Sequence, residues 1–139
     1  MKGDNPLLVE AEEFQDFVME ALYRHGLIIQ CYCSQTYQLK GESLSHFEIK
    51  HDKKFRDTGN LYVEVGEYSP TLNTFVPSGI NRRDNTWFVI IGDYKGVYIF
   101  TKPSLYTLWG KFPTIQTETS KGFLLPFITA KKVGVYVEF

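Results

Sequence analysis

The sequence predicts one mixed α/β domain of the α+β class over residues 1–139. An amphipathic helical pattern opens the chain, and short strand-like segments separated by turn residues follow it. No repeat, low-complexity tract or long linker divides the 139 residues, a length usual for one domain. Hydrophobic residues make up 43% of the chain, which suits a folded core and excludes a disordered protein.

The first predicted element is a helix over about residues 6–25. Asn5 can cap this helix, Pro6 suits its first position, and Gly26 supplies its stop. Apolar residues recur inside it at helical spacing, namely Ala11, Phe14, Val18, Ala21 and Leu22. One N-terminal helix followed by a central mixed sheet with flanking helices is therefore the expected architecture.

Most of the remaining chain is predicted as strand. Segments rich in β-branched and aromatic residues lie at 27–39, 46–52, 60–65, 87–91, 97–100, 123–128 and 133–139. Gly92–Gly96 is predicted to join two of these segments as a hairpin. Residues 69–86 are predicted as an irregular loop with room for a short helical turn, and residues 102–109 as a short helix starting at Pro103.

Charge and hydropathy exclude several classes of protein. The net charge of −1 is not the strongly basic balance of a protein that coats nucleic acid, so nucleic-acid binding would need a local patch. No apolar run of about 18 residues is present, and Met1–Leu8 lacks the pattern of a signal peptide. Cys31 and Cys33 are expected to be thiols in a reducing compartment. We expect a cytoplasmic protein that does not bind membranes.

Carboxylates cluster on the central strands. Alternation along residues 46–52 puts Glu48, Lys50 and Asp52 on one face. If this strand forms a hairpin with residues 60–65 and Asp52 lies opposite Glu64, Lys50 falls opposite Gly66. Carboxylate oxygens are ligands for Mg²⁺, and a nearby lysine can orient a water or neutralise negative charge.

On the strand at 60–65 the same alternation divides the side chains into two sets. One face carries Leu61, Val63 and Val65, and the opposite face carries Tyr62, Glu64 and Gly66. The common alternative for such a polar face is a solvated sheet surface with cross-strand ion pairs.

These residues resemble the PD-(D/E)XK nuclease superfamily, whose pattern is a helix glutamate, an aspartate ending one strand and a glutamate-x-lysine on the next. Asp52 matches the aspartate and Glu64 the glutamate. The run IKHDKKFRDTGNLYVEV, with PSGI at 77–80 and WFVI at 87–90, is similar to small phage-type members over residues 10–100. The motif lysine position holds Gly66, so the resemblance implies either that Lys50 supplies the lysine or that catalysis has been lost.

The resemblance implies a restriction-endonuclease-like fold and hydrolysis of DNA phosphodiester bonds by a water activated by Mg²⁺ or Mn²⁺. Asp52 and Glu64 would hold the metal, Lys50 would activate the nucleophile, and Glu13 would assist from the helix, with Glu10 as the next choice. Basic residues are expected to contact DNA phosphates, namely Lys53, Lys54, Arg56, Arg82 and Arg83. A homodimer would fit a nuclease that cuts two strands.

Two further functions fit the same sequence. One is a catalytically inactive nuclease-like module that binds nucleic acid. The other is a phage-encoded domain that binds a protein and no nucleic acid.

Overall fold

The structure, a computed structural model, describes residues 6–24, 47–84 and 86–139. The strand predicted at 27–39, with Cys31 and Cys33, lies outside these residues, as do the helix-boundary residues Asn5 and Gly26. Within the described part, two four-stranded sheets and four α-helices confirm the mixed α/β class. No helix in the described ranges is both long and apolar enough to cross a membrane.

The elements run through the chain as follows. The helices are α1 (Pro6–Arg24), α2 (Phe55–Thr58), α3 (Lys102–Leu108) and α4 (Phe127–Val133), and a 3₁₀ turn spans Gly79–Asn81. The strands are β1 (Phe47–His51), β2 (Asn60–Ser69), β3 (Thr74–Pro77), β4 (Phe88–Asp93), β5 (Gly96–Thr101), β6 (Thr114–Gln116), β7 (Ser120–Pro126) and β8 (Val135–Glu138).

The first sheet has the strand order β1-β4-β5-β8. Strand β1 runs parallel to β4 and places Lys50 opposite Ile91, whereas the other pairs are antiparallel. The predicted hairpin of β4 and β5 is confirmed. Parallel strands need a long crossover connection, and here that connection contains β2 and β3.

The second sheet is wholly antiparallel, in the order β3-β2-β7-β6. The pairing of β2 with β7 shifts register between Glu64 and Gly66, so Val65 is a β-bulge. The bulge is important for the site because it changes which face each later β2 residue occupies.

Two clusters of buried side chains hold these layers together. Phe14, Val18 and Leu22 of α1 pack on Ile49 and on its neighbours in the first sheet. This contact buries the predicted apolar face of the helix, and it leaves the opposite face of β1, with Glu48 and Lys50, turned away from α1.

The larger cluster joins the two sheets. Leu61, Val63 and Val65, predicted to share one face of β2, are buried in this core together with Val89 and Ile91 of β4. Full burial of each such side chain contributes about 1.5–3 kcal/mol to folding.

The predicted hairpin between β1 and β2 is wrong. Helix α2, with buried Phe55, lies between the two strands and leads the chain into the second sheet. Strand β1 instead pairs with β4, an apolar strand buried at four of its six positions. Lys50 is therefore not opposite Gly66, and Asp52 is not opposite Glu64.

Four elements were not predicted, namely α2, β3, β6 and α4. Strand β3 lies inside the segment predicted as an irregular loop, which does contain the predicted helical turn. The three-residue strand β6 is exposed throughout, so it lacks the apolar alternation that marks a strand. Helix α4 begins after Pro126 between two predicted strands, and its apolar residues were assigned to both of them.

Candidate functional site

A cavity of about 550 Å³ is lined from both sheets and from the β1–β2 connection. Three of the four predicted catalytic residues line it, namely Lys50, Asp52 and Glu64. The assumed register was wrong, yet these side chains still lie around one space because β1 and β2 reach it from different sheets.

Lys50 forms an ion pair with Glu48 and shares the cavity with Glu64. Its Nζ is 3.4 Å from Glu48 Oε1, and both residues line the cavity. Burial alone would lower the pKa of Lys50, but the charges of Glu48 and Glu64 and the contact with Glu48 outweigh that effect and raise it. Lys50 is therefore an ammonium ion at neutral pH, suited to binding an anion.

The carboxylate of Glu64 is held by hydroxyl groups. Ser78 Oγ donates a hydrogen bond to Glu64 Oε2 at 2.8 Å, and Ser120 Oγ lies 3.4 Å from Oε1. Ser78 is fully buried, and the hydroxyl of Ser120 is also 2.6 Å from that of Tyr62. The orientation of this carboxylate is thus fixed by side chains from two other parts of the chain.

The PSGI segment explains why Ser78 reaches Glu64. Gly79 adopts a left-handed conformation with φ of +57°, and a Cβ placed on it would overlap the backbone carbonyl of Glu64. The backbone of Ser78 also donates to the carbonyl of Val65 at 3.1 Å. Only glycine lets the 3₁₀ turn approach β2 this closely, so PSGI builds the support of the glutamate.

The bulge at Val65 removes Gly66 from the face of Glu64. Gly66 pairs with Lys121, whereas Glu64 pairs with Gly122, so the two β2 residues face opposite sides of the sheet. A Cβ at position 66 would lie 3.6 Å from that of Lys121. The predicted common face of Tyr62, Glu64 and Gly66 is therefore wrong at its last position, because alternation along a strand cannot reveal a bulge.

Asp52 joins the end of β1 to the start of β2. Its Oδ1 accepts the backbone N–H of Lys54 at 3.0 Å, and its Oδ2 accepts that of Tyr62 at 2.9 Å. Each oxygen of the carboxyl group keeps a further lone pair. Asp52 thus has a structural role that the sequence did not indicate.

The predicted phosphate-binding residues fall into two groups. Lys53 and Lys54 line the cavity and are exposed. Arg56 does not line it and forms two hydrogen bonds with Asp93, at 2.6 and 2.9 Å, and one with Tyr136 at 3.1 Å. The guanidinium of Arg56 is thus held outside the cavity by Asp93 and Tyr136.

The two loop arginines lie outside the cavity lining. Arg82 forms an ion pair with Glu67 at 3.3 Å, and its charge opposes the raised pKa of Lys50, so it is near the site without forming its wall. Arg83 is exposed.

The two helix glutamates differ in their surroundings. Glu13, the predicted catalytic residue, is exposed and does not line the cavity. Glu10, the alternative, forms an ion pair with Lys53, and this contact lowers the pKa of Glu10. Of the two, Glu10 is therefore the one that contacts a residue of the cavity.

Sequence reasoning missed four residues of this site. Tyr62 and Glu48 were placed on the relevant strand faces without a role, and Ser78 and Ser120 were not assigned to the site. The signal for Ser78 was present in the PSGI segment, whereas Ser120 reaches Glu64 only through the pairing of β2 with β7.

The carboxylates suit a magnesium ion that substrate helps to bind. In the described ranges, no group of three or more His, Cys, Asp and Glu side chains is close enough to hold a metal ion by itself. Glu64 and Asp52 both line the cavity, and Mg²⁺ commonly takes one or two carboxylates together with waters and substrate phosphate oxygens.

Comparison of the chain with protein-family models, with curated protein sequences and with solved structures gave no match.

Proposed function

We propose that this chain is a nuclease of the restriction-endonuclease-like type that hydrolyses DNA phosphodiester bonds with the help of Mg²⁺ or Mn²⁺. The supporting observation is that Lys50 contacts Glu48 and lines one cavity together with Glu64, Lys53 and Lys54. Ammonium groups bind the phosphate anion, and carboxylates provide the ligands that a hard divalent cation prefers.

The residues of the chain have distinct tasks in this proposal. Glu64 and Asp52 would hold the metal, which when bound supplies charge neutralisation and a more acidic water. Ser78 fixes the carboxylate of Glu64, and the ammonium of Lys50 stabilises negative charge on the reacting phosphate. In the reaction the water oxygen bonds to phosphorus, the bond to the leaving oxygen breaks, and that oxygen gains a proton as the water loses one.

The test compares Glu64→Gln and Lys50→Met with the wild type and with Glu138→Gln as a matched control. Glu138 is exposed on β8 and does not line the cavity. A fluorescent oligonucleotide mixture, half single-stranded and half duplex, is incubated with Mg²⁺ or Mn²⁺. We expect each site variant to reduce cleavage by roughly 100-fold or more while the control retains it.

Calorimetry and circular dichroism separate loss of chemistry from loss of fold. Glu64→Gln should show an unchanged spectrum and weaker Mg²⁺ binding in the presence of an oligonucleotide. Full activity of Glu64→Gln would contradict the proposed function.

A binding module without catalysis is the second candidate. Two observations favour it: the lack of a three-ligand group among the described residues, and the bulge that turns position 66 away from Glu64. Salt-sensitive DNA binding without cleavage in either metal would establish this candidate instead.

A further inference from the structure

The cavity has two kinds of lining, and the proposed nuclease chemistry uses only one of them. Charged groups lie on β1, the β1–β2 connection and β2. The other lining is apolar and consists of Val63, Ile80, Val89, Ile91 and Leu124. Val63, Ile80, Val89 and Ile91 belong to the core between the sheets and are at most 3% exposed, so they form only the floor of the cavity. Leu124 is intermediate in exposure and is the member of this set with accessible surface. Leu124 and the half-buried Tyr62 give the cavity an accessible apolar surface that a phosphate group alone would not use.

The size and chemistry of the cavity fit a nucleotide with its base. A volume of 550 Å³ falls in the range of pockets that enclose small organic ligands, roughly 300–1,000 Å³. In a duplex the bases are stacked and paired, so only phosphates, sugars and groove edges could approach this lining. An unstacked base presents an apolar π-face that can be buried there.

Tyr62 adds an aromatic wall to the cavity. Its hydroxyl is fixed by Ser120, and a Cβ on Gly122 would overlap its ring, so the ring lies against the backbone of β7. The absence of a side chain at position 122 lets a tyrosine occupy this place, and aromatic rings are common platforms for unpaired bases.

We propose that the cavity receives the base of an unstacked nucleotide while Lys50, Lys53 and Lys54 bind the adjacent phosphate, so that the preferred substrate is single-stranded DNA. This inference rests on the proposed function and specifies its substrate. Leu124 and Tyr62 contact the base, the ammonium groups hold the phosphate, and Glu64 lies at the reacting bond.

The experiment measures cleavage in Mg²⁺ and binding in Ca²⁺ for one labelled oligonucleotide, single-stranded and annealed to its complement. Leu124→Trp fills the cavity, and Leu72→Trp on the β2–β3 turn is the matched control, because Leu72 is 65% exposed and does not line the cavity. Urea unfolding verifies that both variants are folded. We expect single strands to be cleaved at least tenfold faster than duplex, with a tenfold loss for Leu124→Trp only.

A second measurement tests the role of the base even if Leu124→Trp fails to fold. Thymidine 5′-monophosphate and deoxyribose 5-phosphate carry the same phosphate, and only the first has a base. Wild-type protein should be inhibited by the nucleotide at a tenfold lower concentration than by the sugar phosphate.

The outcomes distinguish this inference from the proposed function. Equal cleavage of both strand forms, together with equal inhibition by the two phosphates, would overturn the inference and leave the nuclease standing. Selective single-strand binding without cleavage would support the cavity as a base site and overturn the catalysis. No binding and no cleavage would overturn both.

Discussion

Asp84 and Lys102 form the ion pair with the least exposed partners in the described ranges, at 9% and 14% exposure and 2.9 Å separation. Lys102 Nζ also donates to the carbonyl of Arg82 at 2.6 Å, and Asp84 Oδ1 accepts the backbone N–H of Thr86 at 3.0 Å. Burial alone would raise the pKa of Asp84, but these hydrogen bonds and the lysine charge lower it overall. The pair therefore anchors the segment after the 3₁₀ turn to the start of α3.

Asp84→Asn should lower the free energy of unfolding by about 3 kcal/mol at pH 7, because it leaves the Lys102 ammonium buried without its partner. The folded pKa of Asp84 lies below its ordinary value of 3.8, so this stabilisation is complete above about pH 5 and is lost as the pH falls through the folded pKa. The urea midpoints of variant and wild type should approach each other as the pH falls below 3.8 toward the folded pKa of Asp84. Asp57→Asn, at an exposed position of α2, is the control. A difference in urea midpoint between Asp84→Asn and wild type that stays constant with pH would contradict the stabilising role of the Asp84 carboxylate.

At the scale of secondary-structure elements, the close packing of the 3₁₀ turn on β2 orients the carboxylate of Glu64. The turn carries Ser78 at its N-terminal boundary, and Gly79 allows it to touch the strand. The bulge at Val65 lies beside this contact and accepts a hydrogen bond from Ser78. Bulge and turn thus form one unit that orients a single carboxylate.

The substitutions Gly79→Ala and Gly59→Ala distinguish two effects of an added side chain, namely steric overlap with a neighbouring strand and strain in a left-handed backbone. Both glycines are left-handed, with φ of +57° and +77°, but a Cβ at position 59 has open space around it. We expect Gly59→Ala to cost about 1–2 kcal/mol. Gly79→Ala should cost about 3 kcal/mol or more, because it adds the overlap with the Glu64 carbonyl. Equal urea midpoints for the two variants would contradict this view of the turn.

Short sequence patterns were sufficient to predict some secondary-structure elements, whereas the strand pairings that bring distant segments together could not be predicted from them. The faces of β1, the spacing of α1 and the β4–β5 hairpin follow from short stretches of sequence, and the structure agrees with them. The partner of β1 depends on β4, which lies beyond the second-sheet strands β2 and β3 in sequence. The bulge at Val65 and the contact of Ser120 with Glu64 depend on β7, so no local pattern could predict them.

The net charge of the whole chain is only −1, so any binding of nucleic acid must come from a local group of cations. The cavity brings Lys50, Lys53 and Lys54 together, but it also contains the carboxylates of Glu48, Asp52 and Glu64, so a bound cation would be needed to make its net charge positive. Arg56, only two residues after Lys54, instead joins α2 to β4 and β8 through Asp93 and Tyr136. Neighbours in sequence therefore serve different parts of the molecule.

Lys54→Ala and Arg56→Ala should affect DNA binding differently. The logarithm of the DNA-binding constant falls linearly with the logarithm of the salt concentration. If Lys54 contacts a phosphate, Lys54→Ala should reduce the magnitude of this slope by about 0.7 for single strands. Arg56→Ala should leave that slope unchanged and lower stability instead. Fluorescence anisotropy across a salt series, paired with urea unfolding, checks both results; a reduced slope for Arg56→Ala would show that the arginine contacts DNA after all.

The interleaving of the two sheets has a consequence for synthesis of the chain on the ribosome. Strand β2 emerges early, but its central partner β7 follows only after β4 and β5 of the other sheet. Closing such long loops costs conformational entropy that only the completed pairings offset. Ser120 and the wall formed by β7 are thus missing until late in translation, and a nascent chain ending before residue 120 has no complete cavity with which to bind a ligand.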